Sequence, residues 1–274
     1  MDIKRIWAVY FSPTGGTKKA VTAIAGGLSE ELRLELQEID FTLPESREKI
    51  YAFGKEDLAV IGTPVYAGRV PNKLLPDVER CFTAAGAYAI PVSVYGNRSF
   101  DDGLMELKLV LESHGFRTAA AAAIVSQHAF SRTLAVGRPD AEDLEEIRGF
   151  AKRVADKIKA GELPEHVSVK GNEPVGPYYT PLAEDGTPAK FLKAKPLTDA
   201  DKCDRCGICA QVCPMGSIDR ENVTQVTGIC IKCQACVKKC PRQAKYFVDE
   251  QFLSHVRMLE KNYTARACNS FFEN

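Results

Sequence analysis

The chain has 274 residues, 45% of them hydrophobic and 26% charged, with 36 basic side chains against 36 acidic ones. That composition can bury a real core and gives room for one full domain plus a smaller one. Zero net charge lacks the basic excess of a nucleic-acid binder, and the longest apolar stretch, 119–125, falls far short of the ~20 residues of a membrane span. Lys4 and Arg5 lead into a short apolar run and then a Gly-rich loop, with no small-residue cleavage site. The start therefore reads as a first strand and not a signal peptide, and the expected location is cytoplasmic.

From the start to about residue 160, strand and helix patterns alternate. Residues 3–11 are apolar and end at the loop, 17–28 have helical spacing, 32–39 alternate apolar with polar, and 58–62 (LAVIG) make a short buried strand. The stretch 71–81 opens with proline at a first helical position. Residues 88–95 predict a strand, 102–113 a helix, 116–125 a fifth strand and 139–160 a long amphipathic helix. Such alternation argues for a parallel sheet covered on both faces. Five strands fit a doubly wound order 2-1-3-4-5, with a ligand at the carboxyl ends near the switch point. Residues 174–196 hold five prolines, too many for a helix or a central strand. They predict a semi-rigid strap (161–196) along the first domain (1–160), with Tyr178, Tyr179 and Phe191 as anchors.

The first predicted strand runs into "FSPTGGT", residues 11–17. This is neither a G-x4-G-K-[ST] loop nor a G-x-G-x-x-G fingerprint. Its chemistry suits a phosphate monoester: Gly15 and Gly16 let amides approach, Ser12, Thr14 and Thr17 offer hydroxyls, and a helix N-terminus follows. The string resembles the flavodoxin phosphate loop, [ST]-x-T-G-x-T, in the place where that family puts it. The resemblance implies a flavodoxin-like α/β fold and FMN. It also implies that two further loops hold the flavin ring. After the third strand these are Pro64, Val65, Tyr66, Ala67 and Gly68, with the Ala67–Gly68 peptide facing the ring nitrogen N5. After the fourth they are Tyr95, Gly96, Asn97, Arg98 and Phe100, with Phe100 as the stacking aromatic. His128 and Arg132, after strand five, are candidates for the same rim.

Eight of the ten cysteines fall between 203 and 240, as "CDRCGICAQVCP" and "CIKCQACVKKCP". Both read C-x2-C-x2-C-x3-C-P, and the second copies the first at an offset of 27 residues. Zinc sites use two cysteine pairs separated by a longer gap, and a disulfide knot does not suit a chain without an export signal. Cys81, in a predicted helix, and Cys268, near the chain's end, lack ligand spacing and are expected to be a buried thiol and an inert residue.

The run is the known signature of bacterial-type ferredoxins, and residues 197–248 resemble a two-cluster ferredoxin domain, small and α+β. The resemblance implies two [4Fe-4S] clusters, one on Cys203, Cys206, Cys209 and Cys240, the other on Cys230, Cys233, Cys236 and Cys213. The second domain is drawn as 197–274, tail included. Within 222–248 there are five basic residues and no acidic one, unlike the acidic faces typical of free ferredoxins. These cations face an acidic partner, the chain's own first domain, or only solvent.

Nearly the whole chain is similar to flavodoxin-like/two-cluster ferredoxin fusions, the EFR-type ferredoxins. The resemblance implies an electron carrier working at low oxygen, relaying single low-potential electrons between the clusters and FMN, with redox proteins as donor and acceptor. The alternative is an FMN-dependent reductase of a small organic substrate of quinone, nitro, azo or enone type. No paired carboxylates and no nucleophile with a base stand out, which favours the carrier.

Overall fold

The computed structural model describes residues 3–274. The chain opens with β1 (Arg5–Tyr10), α1 (Gly16–Leu32) and β2 (Glu35–Asp40). Next come β3 (Tyr51–Gly54), β4 (Asp57–Pro64), α2 (Leu75–Cys81), β5 (Phe82–Ala85) and β6 (Tyr88–Tyr95). The first unit ends with α3 (Gly103–Ser113), β7 (Arg117–Thr118), β8 (Ala121–Val125) and α4 (Ala141–Ala160). The main parallel strands lie in the order β2-β1-β4-β6-β8, which is 2-1-3-4-5 when those five are counted alone. The flavodoxin-like doubly wound sheet is therefore present. β4, β6 and β8 are buried almost throughout, as strands covered on both faces must be.

The pleat divides the core in two. Leu58 and Val60 of β4 face Ala20, Ile24 and Leu28 of α1 and Phe150 and Val154 of α4. Ala59 and Ile61, on the other face, meet Val78 of α2 and Leu107 and Leu111 of α3. The Asp140 carboxylate caps α4 by accepting from the Asp143 amide, and the Asp143 carboxylate accepts from the Asp140 amide in return.

Several expected boundaries shift. Residues 71–74 form a turn, with the Leu74 and Leu75 amides donating to Pro71 O, so α2 begins at Leu75 with Pro76 in its first turn. The fifth strand is split into β7 and β8. The short parallel pair β3·β5 was not foreseen.

The second unit consists of β9 (Leu197–Thr198), α5 (Ile208–Gln211), α6 (Ala235–Lys238) and β10 (Lys245–Tyr246), with β9 and β10 antiparallel. Its backbone repeats as its sequence does. α6 lies 27 residues after α5, and the left-handed residues Arg205, Gly207 and Gly216 recur as Lys232, Gln234 and Gln243. The Ser217 amide donates to Cys213 Sγ at 3.3 Å, and the Ala244 amide to Cys240 Sγ at 3.3 Å.

After the second unit, α7 (Glu250–Asn262) leads back to the first, and β11 (Ser270–Phe272) adds antiparallel to β8 as the sheet's edge. The tail drawn with the second domain is thus part of the first one's sheet. Phe271 packs on Phe150 with ring centroids 4.8 Å apart, and Arg138, in a buried ion pair with Asp143, donates to Ala267 O at 2.6 Å. No described helix is long and apolar enough to cross a membrane.

Candidate cofactor site at the sheet rim and the cysteine loops

A cavity of about 480 Å³ opens at the carboxyl ends of the parallel strands, in the range of small-molecule sites. Thr14, Gly16 and Thr17 line it on one side, residues 64–68 on a second, and Tyr95, Gly96 and Arg98 on a third. Ser12 is buried beneath it: its amide donates to Thr42 Oγ1 at 2.8 Å, and its hydroxyl accepts the Lys18 amide at 2.8 Å. Gly15, at φ +96°, turns the chain into α1 and itself offers no side-chain cap. The Gly16 and Thr17 amides find no acceptor among the described residues. A helix start with free amides and two threonine hydroxyls is a ready seat for a phosphate, so the residues present fit a flavin mononucleotide there. A Cβ at Gly16 would stand 2.2 Å from Ser126 Oγ, so any larger residue there makes Ser126 shift.

The other rim loops depart from expectation in three respects. Phe100 does not line the cavity; it is buried in the core with its ring 5.5 Å from that of Tyr95. The Ala67 carbonyl already accepts the Tyr179 amide at 2.8 Å, within a tight turn where Ala67 and Gly68 both have positive φ. Asn97 also points away: its side-chain amide donates to Tyr263 O at 2.6 Å and Ala265 O at 2.8 Å, tying the rim to the returning tail.

The strap takes the place that Phe100 leaves. Tyr178 donates to Val70 O at 3.0 Å and lies under the Arg69 guanidinium, while Arg98 stands 4.0 Å from the Tyr179 ring centroid. Asp102 anchors the same strap by accepting from the Asn172 amide at 2.9 Å and the Gly176 amide at 2.8 Å. Phe191, the third expected anchor, stacks on His255 at 5.4 Å. These strap residues, with Phe130 and His255, were not legible as cavity lining because only the tertiary fold brings them to the rim.

His128 lines the cavity, whereas Arg132 is exposed and does not. Burial, with His255, Lys238 and Arg98 nearby, brings the His128 imidazole down to about 3. Its Nδ1 accepts the Phe130 amide at 3.1 Å, which leaves the proton on Nε2. Burial also lowers His255, whose Nδ1 donates to Leu182 O at 2.8 Å. Two neutral imidazoles of opposite tautomer thus border one cavity.

The cysteines divide into two sets. Cys203, Cys206, Cys209 and Cys240 surround one small hollow; Cys213, Cys230, Cys233 and Cys236 surround a second. None of the eight is in a disulfide. No three of the described His, Cys, Asp or Glu residues converge tightly enough for a single metal ion. Around a four-iron cluster each thiolate binds a different iron and stands farther from its fellows, so the sets fit that group. Ile229, Cys230, Ile231 and Lys232 line the second hollow and the rim cavity alike, and nothing of the first set reaches that cavity. Burial raises the Tyr66 phenol well above its ordinary value, with the Cys233 and Cys230 thiols adding to it from across this wall.

Comparison with known proteins fits this division. Residues 202–245 match the 4Fe-4S dicluster domain family. Pyruvate synthase subunit PorD of Methanothermobacter marburgensis is 40% identical over 50 residues, spanning 18% of this chain and 60% of that protein. The match therefore spans less than two thirds of that relative. Among solved structures, a flavodoxin from the domain Archaea has 18% identity and a TM-score of 0.38, covering 57% of this chain and 99% of its own. Oxidised flavodoxin 2 from Bacillus cereus has 20% identity and a TM-score of 0.38, covering 56% and 99%. The strand order and the family match at 202–245 together define the class: a flavodoxin-like α/β domain joined to a ferredoxin-type iron–sulfur domain. Those are features of electron-transfer and redox proteins.

Proposed function

We propose that this chain relays single low-potential electrons between two [4Fe-4S] clusters and one FMN, linking a ferredoxin-level donor to a downstream acceptor. When bound, four-iron clusters pass electrons singly and a flavin holds one or two, so the pair converts between one- and two-electron chemistry. The observation that carries the reading is the wall of Ile229, Cys230, Ile231 and Lys232, common to the rim cavity and the second cysteine set. It makes that set the inner station and the set with exposed Cys206 the outer one, towards partner proteins. The Gly16 and Thr17 amides would hold the phosphate, and the strap, with Tyr178 and Tyr179, would shield the site from water. The test is anaerobic purification with iron, sulfide and flavin counts, then rapid mixing with a one-electron reductant. About eight irons and one FMN, the complement of two four-iron clusters and one flavin site, are expected, with cluster bleaching before flavin bleaching. Full iron with no flavin, even after FMN is added, would sink the relay.

A second reading, an FMN-dependent reductase of a small quinone, nitro, azo or enone compound, draws on one observation. The cavity continues past the rim loops to Phe130, Phe191 and His255, an aromatic recess with polar edges. Turnover of such compounds by the reduced holoprotein separates it from the carrier.

A further inference from the structure

The 27-residue repeat pairs Ile218 with Lys245, each five residues after the last cysteine of its run. The two backbones match at this point, yet the side chains are opposites. Ile218 is 4% exposed and lies in an apolar cluster with Val223 and Cys236. Lys245 is 3% exposed. Each lines the hollow of its own run's fourth cysteine, Ile218 that of the Cys213 set and Lys245 that of the Cys240 set.

A buried ammonium calls for a counter-charge, because removing it from water without one is strongly unfavourable. Lys245 Nζ donates only to neutral oxygens, Thr198 Oγ1 at 2.7 Å and Val223 O at 2.5 Å, and pairs with no carboxylate of the described residues. Other cations of the basic run are differently placed. Lys232 donates to Leu192 O, Lys238 donates to His128 O at 3.1 Å, Arg242 pairs with Asp204, and Lys239 is exposed. Lys245 lines one hollow together with Cys203, Cys206, Cys209 and Cys240. The anionic charge beside Lys245 is therefore that of the cysteine set in this hollow and whatever it binds.

We propose that Lys245 is the resident counter-charge of the Cys203, Cys206, Cys209 and Cys240 set and raises the reduction potential of the cluster held there. The inference rests on the cluster reading above. Reduction adds one negative charge to a cluster, and an unpaired cation in a dry surrounding stabilises that added charge. Ile218 holds the matching place in the other set's hollow, so the repeat is symmetric in ligands and asymmetric in the side chain nearest each set.

The test is a redox titration of the anaerobically purified full chain, followed by electron paramagnetic resonance, for the parent, Lys245→Met, Lys245→Gln and Lys245→Arg, with Lys239→Gln as an exposed control. Both neutral variants are expected to lower one cluster's potential so that its reduced-to-oxidised ratio at fixed ambient potential falls about tenfold, or ~59 mV for one electron. Lys245→Arg and Lys239→Gln should leave it near the parent. Loss of iron from both neutral variants but not from Lys245→Arg would equally support the counter-charge role. Full iron with superimposed titrations, or loss of iron from Lys245→Arg as well, would overturn it. Parent protein with far fewer than eight irons would instead overturn the cluster reading, and the inference with it.

Discussion

In the sheet half, β4, β6 and β8 are buried nearly end to end, and two side-chain layers seal them between helices. In the cysteine half, the longest helices span four residues, the strands two, and the buried cluster holds five residues, two of them cysteines. The first half has the hydrophobic core that a folded domain needs; the second has only a small cluster in which thiols take two of five places. One half would keep its shape without its cofactor. The other owes its shape to whatever its cysteines bind, as small metal domains do.

The largest expected effect tests that contrast directly. Stripping iron from the anaerobic protein should abolish amide-exchange protection in β9, β10 and the cysteine loops while β4, β6 and α1 stay protected. Equal protection in both halves before and after stripping would erase the distinction.

A smaller effect probes the sheet half alone. Gly16→Val drives a side chain into Ser126 and should weaken FMN retention at least tenfold, about 1.4 kcal/mol, with the iron count unchanged. Undiminished flavin binding, followed by fluorescence quenching, would remove the phosphate from this loop.

A graded, pH-dependent effect concerns the seam between the halves, where Lys238 reaches His128 O. The folded His128 value, about 3, lies below its ordinary 6.5, so below pH 6.5 the unfolded chain binds a proton that the folded chain refuses. Stability should fall as pH drops from 6.5 towards 3, by at most about 1.4 kcal/mol per pH unit from this group. His128→Phe should flatten that slope in urea titrations at pH 4.5 and 6.5, leaving the residual fall due to His255 and to carboxylates the fold holds low, such as Glu38 and Asp57. An unchanged slope would show that the imidazole titrates freely in the native protein.

What the sequence made legible follows from how local each signal is. The alternation of strands and helices and the cysteine repeat are written over short windows, and the sheet order 2-1-3-4-5 followed from them. The direction of Phe100 was not legible, because it depends on the strap occupying the rim with Tyr178 and Tyr179. Nor was the wall of Ile229, Cys230, Ile231 and Lys232, which exists only where two distant units meet. The basic run hid its meaning for the same reason: composition counts Lys245 with Lys239, although one is buried beside thiols and the other faces water. β11 is three residues long, and its pairing with Ala121, Ala122 and Ala123 is written in no pattern of its own.

That edge strand has a consequence for how the molecule is made. β8 must wait for a neighbour that leaves the ribosome only after the strap and all eight clustered cysteines have been synthesised. The sheet's last seam therefore closes behind the cysteine segment, which makes that segment an insertion gripped at both ends and not a pendant on a leash. Tail residues already bind the rim at Asn97 and Tyr95, so the grip reaches the cavity itself. Chain order thus lets the sheet close only after the whole cysteine segment has been made.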